Sequence, residues 1–289
     1  MGDMHRILLK IGPAAFRIAS AWRRPLEELE AFYRDFPGPS DNSVDFTVRL
    51  EPEKPWRRFL RPSVHIGGDF WLPDAAPLPL SQGLLAAEMG MNLQMALGWR
   101  RHLLLHASSV EKDGKALIMT GLSGSGKSTL SAMLAERGWR FMGDEFALLS
   151  LDSGQIFPFP RLISLKNEAI GAMLNVAAES RFGPEMKATP KGDIRHLVPP
   201  KAAIARMEEP AKPALLLFPR FGHAPELREM GKSEVFVRLT QASTNYVALG
   251  ERGFSALTRF VDQVPVKAMD YQSTDQAEEM IDGLWSQLP

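Results

Sequence analysis

The alternation of apolar and polar positions predicts short strands and two helices in the first hundred residues. Residues 5–20 alternate loosely, which indicates a strand pair or one bent strand, and residues 44–51 alternate as a single strand does. Apolar side chains at helical spacing predict a helix over residues 25–36. A Met- and Leu-rich run predicts a longer helix over residues 82–101, whose methionines are expected to pack in the core.

A proline-rich segment, residues 73–81, is predicted to be extended and to form a seam between two halves of the chain. We therefore expect an α+β region over residues 1–80, which would dock a substrate or partner, and a larger domain over residues 81–289. The length of 289 residues is sufficient for two such domains.

Three arginines surround two aromatic residues shortly before that seam. Arg57, Arg58 and Arg61 lie beside Trp56 and Phe59 in the segment PWRRFLRPSV. This cluster is either a patch for phosphate or acidic peptide, or a solvated edge that carries two buried aromatic side chains. Charge clusters are more often solvated faces, but the residues alone leave both interpretations open.

From residue 102 onward the pattern is typical of an α/β domain. Two apolar strands, HLLLHASSVE and KALIMTG, are joined by a charged turn and followed by a glycine-rich loop. A helical run comes next, and then a short apolar strand that ends in two acids. This order of strand, loop, helix and strand predicts a βαβ arrangement.

Composition narrows the classes of function. The chain has no cysteine, which excludes a disulfide scaffold, a thiolate zinc site and a cysteine nucleophile. The chain has 34 Lys and Arg residues and 34 Asp and Glu residues, so its formal net charge is zero. Overall charge therefore does not attract it to nucleic acid or to an anionic membrane. No apolar run reaches the ~20 residues of a membrane helix, and the N-terminus lacks the apolar core of a signal peptide. We expect a cytoplasmic protein with neither a nucleic-acid nor a membrane partner.

The glycine-rich loop, GLSGSGKST over residues 121–129, matches the P-loop (Walker A) pattern G-x-x-x-x-G-K-[ST] in full. Glycines let backbone N–H groups approach phosphate oxygens, and the following helix presents its positive end to the same anion. Lys127 is expected to reach the β- and γ-phosphates, and the Ser128 hydroxyl to bind Mg²⁺. The predicted ATP-binding residues are Gly121, Ser123, Gly124, Ser125, Gly126, Lys127, Ser128 and Thr129.

Two adjacent acids, Asp144 and Glu145, follow the next strand. A P-loop protein needs an acid there to hold the Mg²⁺ that bridges the phosphates, so the predicted metal ligands are Ser128, Asp144 and Glu145. Adjacent strand residues face opposite sides, so the two acids can act together only where the strand ends or bends, and Gly143 provides such a place. His106, at the end of HLLLH, is either an ordinary edge residue or a catalytic one.

The stretch from His106 to Glu145 resembles the catalytic domain of HPr kinase/phosphorylase. Three later segments, RLISLKNEAI, TPKGDIRHLVPP and STNYVALGERGF, resemble motifs of the subfamily known as HprK-related kinase A. The resemblance covers most of the chain. It implies a P-loop kinase domain of the HPr kinase/PEP carboxykinase type, with a parallel or mixed sheet around the loop and with ATP and Mg²⁺ as cofactors.

The resemblance also implies roles for single residues. Asp144 falls on the acid that takes the proton of the substrate serine, Glu145 on an acid associated with metal, and His106 on a histidine near the transferred phosphate. The family has Asp-Asp where this chain has Asp-Glu. The chain also lacks a convincing copy of the family's glycine-rich signature after the acids, so the reverse, phosphorolytic activity is not expected.

Two basic segments follow the acids: PRLISLKN over residues 160–167 and TPKGDIRH over residues 189–196. Their cations could stabilise the negative charge that develops on the phosphoryl group during transfer. Lys166 and Lys191 are the preferred catalytic candidates; the remaining candidates are Arg161, Arg195 and His196. Either segment could close over ATP as a lid, with Gly192 as a flexible point.

We therefore expect an ATP- and Mg²⁺-dependent serine kinase that acts on a protein or peptide. The alternatives are a small-molecule kinase on the same scaffold and a nucleotide-dependent switch that transfers no phosphate. The identity of the acceptor and the formation of a homo-oligomer are left open.

Overall fold

The computed structural model describes residues 4–72, 75–189 and 192–288, and shows a mixed α/β protein with several sheets and helices. The chain divides into two compact units, one that ends at Trp99 and one that begins at Arg100.

The N-terminal unit is built on a five-stranded sheet in the order β1-β2-β3-β4-β5. Its elements are β1 His5–Ile11, β2 Ala14–Ser20, α1 Arg24–Phe32, β3 Phe46–Pro52, β4 Ser63–Gly68, β5 Leu78–Pro79 and α2 Gly83–Gly98. Strands β2 and β3 are parallel, and the other neighbours are antiparallel. The predicted strand pair, both helices and the strand near residue 46 are confirmed, each with slightly different ends.

Helix α2 belongs to this first unit, which corrects the boundary predicted at residue 80. The helix packs closely on the sheet: a Cβ placed on Gly90 would lie 2.5 Å from Val48 Cγ1. Gln94 accepts a hydrogen bond from the Phe70 backbone N–H at 2.9 Å and donates one to the Phe70 carbonyl at 2.8 Å. The proline-rich segment, of which residues 73 and 74 lie outside the described part, therefore lies within one unit, where it contains strand β5, and is not a seam between two.

The two aromatic residues among the arginines are on the surface. Trp56 and Phe59 are 58% and 82% exposed, in and just after a 3₁₀ helix over Pro55–Arg58. Lys54 lies 5.5 Å from the Trp56 ring centre, and Arg58 lies 5.7 Å from that of Phe59. The expectation of two buried aromatic side chains is therefore wrong, because the 3₁₀ turn directs both rings outward.

Three sheets lie in the described part of the C-terminal unit. Its strands are β6 His102–Leu105, β7 Ala107–Lys112, β8 Lys115–Thr120, β9 Arg140–Gly143, β10 Ala147–Ser150, β11 Ile156–Phe157, β12 Ile163–Lys166, β13 Phe182–Thr189, β14 Gly192–Leu197, β15 Lys212–Phe221, β16 Glu226–Glu229 and β17 Val266–Tyr271. Its helices are α3 Lys127–Glu136, α4 Glu168–Leu174, α5 Lys201–Ala205, α6 Lys232–Ala242, α7 Tyr246–Gln263 and α8 Thr274–Trp285. The sheet orders are β16-β17-β15-β8-β7-β9, β12-β14-β13 and β11-β10-β6.

The six-stranded sheet is mixed. Strand β8 is parallel to β15, which is parallel to β17, whereas β7 is antiparallel to both β8 and β9. Strands β8, β9, β15 and β17 therefore end at the same edge, where β7 begins. The predicted order of strand, loop, helix and strand is confirmed, but β7 lies between the two strands that the helix connects.

Helix α3 packs between this sheet and the three-stranded sheet of β12, β13 and β14. The side chains that meet there are fully or almost fully buried and include Leu117, Met119, Leu130, Leu134, Ile163 and Leu165. The opposite face of the six-stranded sheet packs against α6 and α7 through residues such as Ile118, Leu216, Leu239 and Leu257. The loop before α3 is thus held by elements that are buried on both sides.

A buried ion pair joins β7 to β9 within the same sheet. Arg140 Nε donates to Glu111 Oε2 at 2.5 Å, and Arg140 Nη1 donates to the carbonyls of Arg206 and Glu209 at 2.8 Å. These bonds satisfy a guanidinium that burial would otherwise penalise. Among the described residues, no helix is both long enough and apolar enough to cross a membrane.

Candidate functional site

The glycine-rich loop occupies the edge of the sheet at which β8, β9, β15 and β17 end. Gly121, Gly124 and Gly126 have φ values of +145°, +82° and +92°, which L-residues with a side chain rarely adopt. Gly126 directly precedes the first residue of α3. The three glycines therefore adopt backbone conformations that only glycine adopts without strain. The loop ends at the N-terminus of α3, which carries the positive end of the helix dipole.

Tyr271 packs against the turn at Ser125 and Gly126. Its ring is almost fully buried at the end of β17, and its hydroxyl donates to the Ser125 carbonyl at 3.4 Å. Burial raises the pKa of Tyr271 to about 12, so the hydroxyl keeps its proton. A Cβ on Gly126 would overlap the Tyr271 hydroxyl. Gly126 is thus required both by its backbone conformation and by the tyrosine beneath it.

We expect Gly126→Ala to lower the free energy of unfolding by about 2–4 kcal/mol, because overpacking and a left-handed backbone at a non-glycine residue each cost about 1–3 kcal/mol. Adding Tyr271→Phe to that variant should restore part of the loss, because it removes the overlapping hydroxyl. Urea denaturation of the single and double variants measures both effects. A double variant no more stable than Gly126→Ala would contradict the clash.

The Lys127 ammonium lies inside the loop. Nζ donates to the carbonyls of Gly121 and Leu122 at 2.8 and 2.9 Å, and lies 3.5 Å from Ser125 Oγ. Burial lowers the pKa of Lys127 below its ordinary value, and the nearby charges of Asp144 and Glu145 oppose that shift. The cation is therefore held by the loop and lies in the field of both acids.

Asp144 is buried, with 8% of its surface exposed, just after β9. Ser108 Oγ donates to its Oδ1 at 2.8 Å. Burial, and then the charge of Glu145, raise the pKa of Asp144 above the ordinary carboxyl value, and hydrogen bonding from the Ser108 and Ser128 side chains together with the charge of Lys166 opposes that rise. The acid thus lies beside the loop serine.

Glu145, the next residue, is less buried than Asp144. Its side chain is 28% exposed, and Oε2 lies 3.6 Å from Nδ1 of the half-exposed His106. The charges of both acids act on Lys127, but their surroundings differ, because Asp144 is buried and Glu145 is partly exposed beside His106. Sequence reasoning had left their division of labour to the resemblance.

His106 lies at a break between two strands that were predicted as one. Strand β6 pairs with β10 in a small sheet, and β7 joins the large sheet. The backbone of His106 donates to the Ala242 carbonyl at 2.8 Å and accepts from Thr120 Oγ1 at 2.9 Å. Buried Asn245 fixes β6 in turn, since it accepts from the Leu104 N–H and donates to the His102 carbonyl, both at 2.9 Å. The break places the histidine at the same sheet edge as the loop.

Of the two preferred lysines, Lys166 is brought to the site and Lys191 lies outside the described residues. Lys166 ends β12, and its charge acts on both Asp144 and Lys127. Arg195 is occupied elsewhere, because it donates to the Gly183 carbonyl at 2.7 Å and covers the Phe182 ring at 4.9 Å.

The remaining basic candidates and loop residues are placed as follows. Arg161 is buried with its guanidinium 5.9 Å from the Phe159 ring centre, and His196 is buried in β14. Ser123 is exposed in the loop, and Thr129 lies in the first turn of α3.

The donor set fits Mg²⁺ better than a softer metal. Ser128, Asp144 and Glu145 offer only hard oxygen atoms, and Mg²⁺ in such sites is bound by one or two carboxylates together with phosphates and water. No group of three or more His, Asp or Glu side chains suited to a metal is found in the described part of the chain. Ser128 and Asp144, which lie beside each other, are the residues that would hold the ion.

Sequence reasoning missed residues that support the site, among them Ser108 and Tyr271. From the sequence, Ser108 is predicted only to belong to the strand HLLLHASSVE. It lies two residues from His106, so on that predicted strand both side chains would be on the same face. Tyr271 lies about 150 residues beyond the loop that it supports, and nothing near it in the sequence indicates the contact.

Comparison of the chain with models of known protein families gives no match, and comparison with curated proteins gives none either.

Proposed function

We propose that this chain is an ATP- and Mg²⁺-dependent phosphotransferase, with a P-loop kinase domain of the HPr kinase/PEP carboxykinase type. One observation carries the proposal: the loop lysine, which loop carbonyls hold in place, and the buried first acid of the pair lie at a single sheet edge, where the charge of Asp144 acts on Lys127 and Ser128 lies beside the acid. A glycine-rich turn that served only to connect a strand to a helix would not require a buried carboxylate beside it.

Each of these residues has a role in that reaction. The loop backbone and Lys127 bind the phosphates, and Lys166 adds positive charge on the side of the acids. Mg²⁺, when bound, neutralises charge on the β- and γ-phosphates. Ser128 and Asp144 would hold the ion and orient the phosphate chain toward the acceptor.

For the base we propose Glu145, in contrast to the role that the resemblance gives to Asp144. A general base must reach the acceptor hydroxyl, and Glu145 is partly exposed, whereas Asp144 is buried and accepts a hydrogen bond from Ser108. His106 Nδ1 lies 3.6 Å from Glu145 Oε2, and we propose that the histidine positions that carboxylate.

The acceptor we propose is a serine hydroxyl of a protein or peptide, and this rests on the resemblance alone. The test is transfer of the γ-phosphate from radiolabelled ATP in a lysate, with and without added chain, followed by identification of the labelled species. ATP binding without any labelled product would instead favour the nucleotide-dependent switch, and a labelled small molecule would favour a small-molecule kinase.

Metal removal gives a direct prediction. EDTA should abolish transfer, and Mg²⁺ or Mn²⁺ should restore it, because the available ligands are hydroxyl, carboxylate and phosphate oxygens. Radiolabel transfer measured across a metal titration checks this. Full activity after thorough metal depletion would contradict the assignment of Ser128 and Asp144.

A further inference from the structure

An exposed aromatic ring lies beside the glycine-rich loop and has no part in the reaction described above. Phe221 is the last residue of β15, and 48% of its surface is exposed. Strand β15 is the direct parallel neighbour of β8, so it ends next to the point where β8 enters the loop. The Pro219 carbonyl is within 3.8 Å of a Cβ built on Gly121, which confirms that the two strand ends are adjacent.

The Phe221 ring is held in place by the same tyrosine that supports the loop. Its centre lies 5.5 Å from that of Tyr271 at an interplanar angle of 60°, an edge-type contact that leaves part of the phenylalanine ring free. The following turn is fixed as well, because Gly222 N–H donates to the Tyr271 carbonyl at 2.8 Å. The ring is therefore preorganised on a rigid support.

Phe221 is also close to the phosphate-binding end of α3. A Cβ built on Gly126 would lie 3.4 Å from Phe221 Cβ. A nucleotide whose phosphates bind the loop carries its base at the distance of one ribose, and a half-exposed ring at this position is within reach of that base.

We propose that Phe221 is the platform on which the nucleobase stacks, on the β15 side of the loop and away from the acids. The inference rests on the proposed nucleotide function and adds to it the part of the site that binds the base. Stacking uses the π-face that every base has, so the platform favours nucleotides over bare polyphosphate but discriminates little between adenine and guanine.

The chain offers a matched control in Phe254. This residue of α7 is 52% exposed and makes an edge contact with Phe236 at 5.8 Å and 69°. The exposure and the aromatic contact of Phe254 are thus close to those of Phe221. Phe254→Ala therefore shows the effect of removing a similar exposed ring at a position away from the glycine-rich loop.

The experiment is calorimetric titration of the full chain, in Mg²⁺, with ATP, GTP and inorganic tripolyphosphate. We expect Phe221→Ala to weaken ATP and GTP about fivefold to twentyfold, the lower part of the range for one stacked base, and to leave tripolyphosphate unchanged. Phe221→Trp should retain nucleotide affinity, and Phe254→Ala should leave all three affinities unchanged.

Two results overturn the inference while leaving the proposed function intact. Equal weakening of ATP and tripolyphosphate by Phe221→Ala would mean that the ring only supports the loop. Unchanged ATP affinity would mean that the base does not contact it. If the unsubstituted chain binds none of the three compounds, the proposed function and this inference both fail.

Discussion

Lys127→Ala is expected to reduce phosphotransfer by about 10²- to 10³-fold, the usual effect of removing one preorganised donor from a developing charge. The ammonium lies within the loop, where Gly121 and Leu122 carbonyls fix its position before any phosphate arrives. No other cation is placed inside the loop in the described part of the chain. ATP affinity should fall as well, which titration of the variant with ATP measures.

The fold should survive this substitution. Burial lowers the pKa of Lys127, so its charge is disfavoured in the folded state and its removal relieves that cost. We expect the free energy of unfolding to change by no more than about 1 kcal/mol, the net value of an ordinary hydrogen bond. Lys232→Ala, which removes an exposed lysine paired with Asp262 at 2.9 Å, is the matched control. Unchanged phosphotransfer in Lys127→Ala would refute the nucleotide assignment.

Local chemistry explains which parts of the site could be predicted from the sequence. The loop is a run of adjacent residues, and Gly121 and Gly126 have positive φ values that favour glycine, so its turn before the helix could be predicted from spacing alone. The acids could be placed at the correct edge because they follow the next strand with the same direction as β8.

Long-range packing explains what could not be predicted. Whether a helix belongs to one unit or the next depends on the surface that it covers, so α2 was assigned to the wrong unit. The supports Tyr271 and Asn245 are contributed by distant segments through the strand order of the sheets. The exposure of Trp56 depends on a 3₁₀ turn that the alternating pattern does not specify.

The different surroundings of the two acids lead to opposite predictions for their substitution. Glu145→Gln keeps the shape of the partly exposed acid but removes the proposed proton acceptor. We expect kcat to fall by about 10²- to 10⁴-fold, the effect of losing a positioned general base. Added Mg²⁺ should not restore the rate, because Ser128 and Asp144 still hold the ion.

Asp144→Asn should mainly change the metal requirement and the stability. The Mg²⁺ concentration for half-maximal rate should rise, and excess Mg²⁺ should restore part of the activity. The raised pKa of Asp144 means that its ionised form destabilises the fold, so the stability of the unsubstituted chain in EDTA falls as pH rises through that pKa. Asparagine removes this loss, so the variant should be more stable than the parent in EDTA above the ordinary carboxyl range.

Kinetic Mg²⁺ titrations of both variants, together with urea denaturation in EDTA at several pH values, separate the two roles. Rescue of Glu145→Gln by Mg²⁺, with Asp144→Asn beyond rescue, would restore the roles that the resemblance implies, with the buried acid as base. Near-normal rates in both variants would mean that neither acid takes part in phosphoryl transfer. The proximity of Asp144 to Ser128 would then have only a structural role, and a nucleotide-dependent switch would account for the loop better than a kinase does.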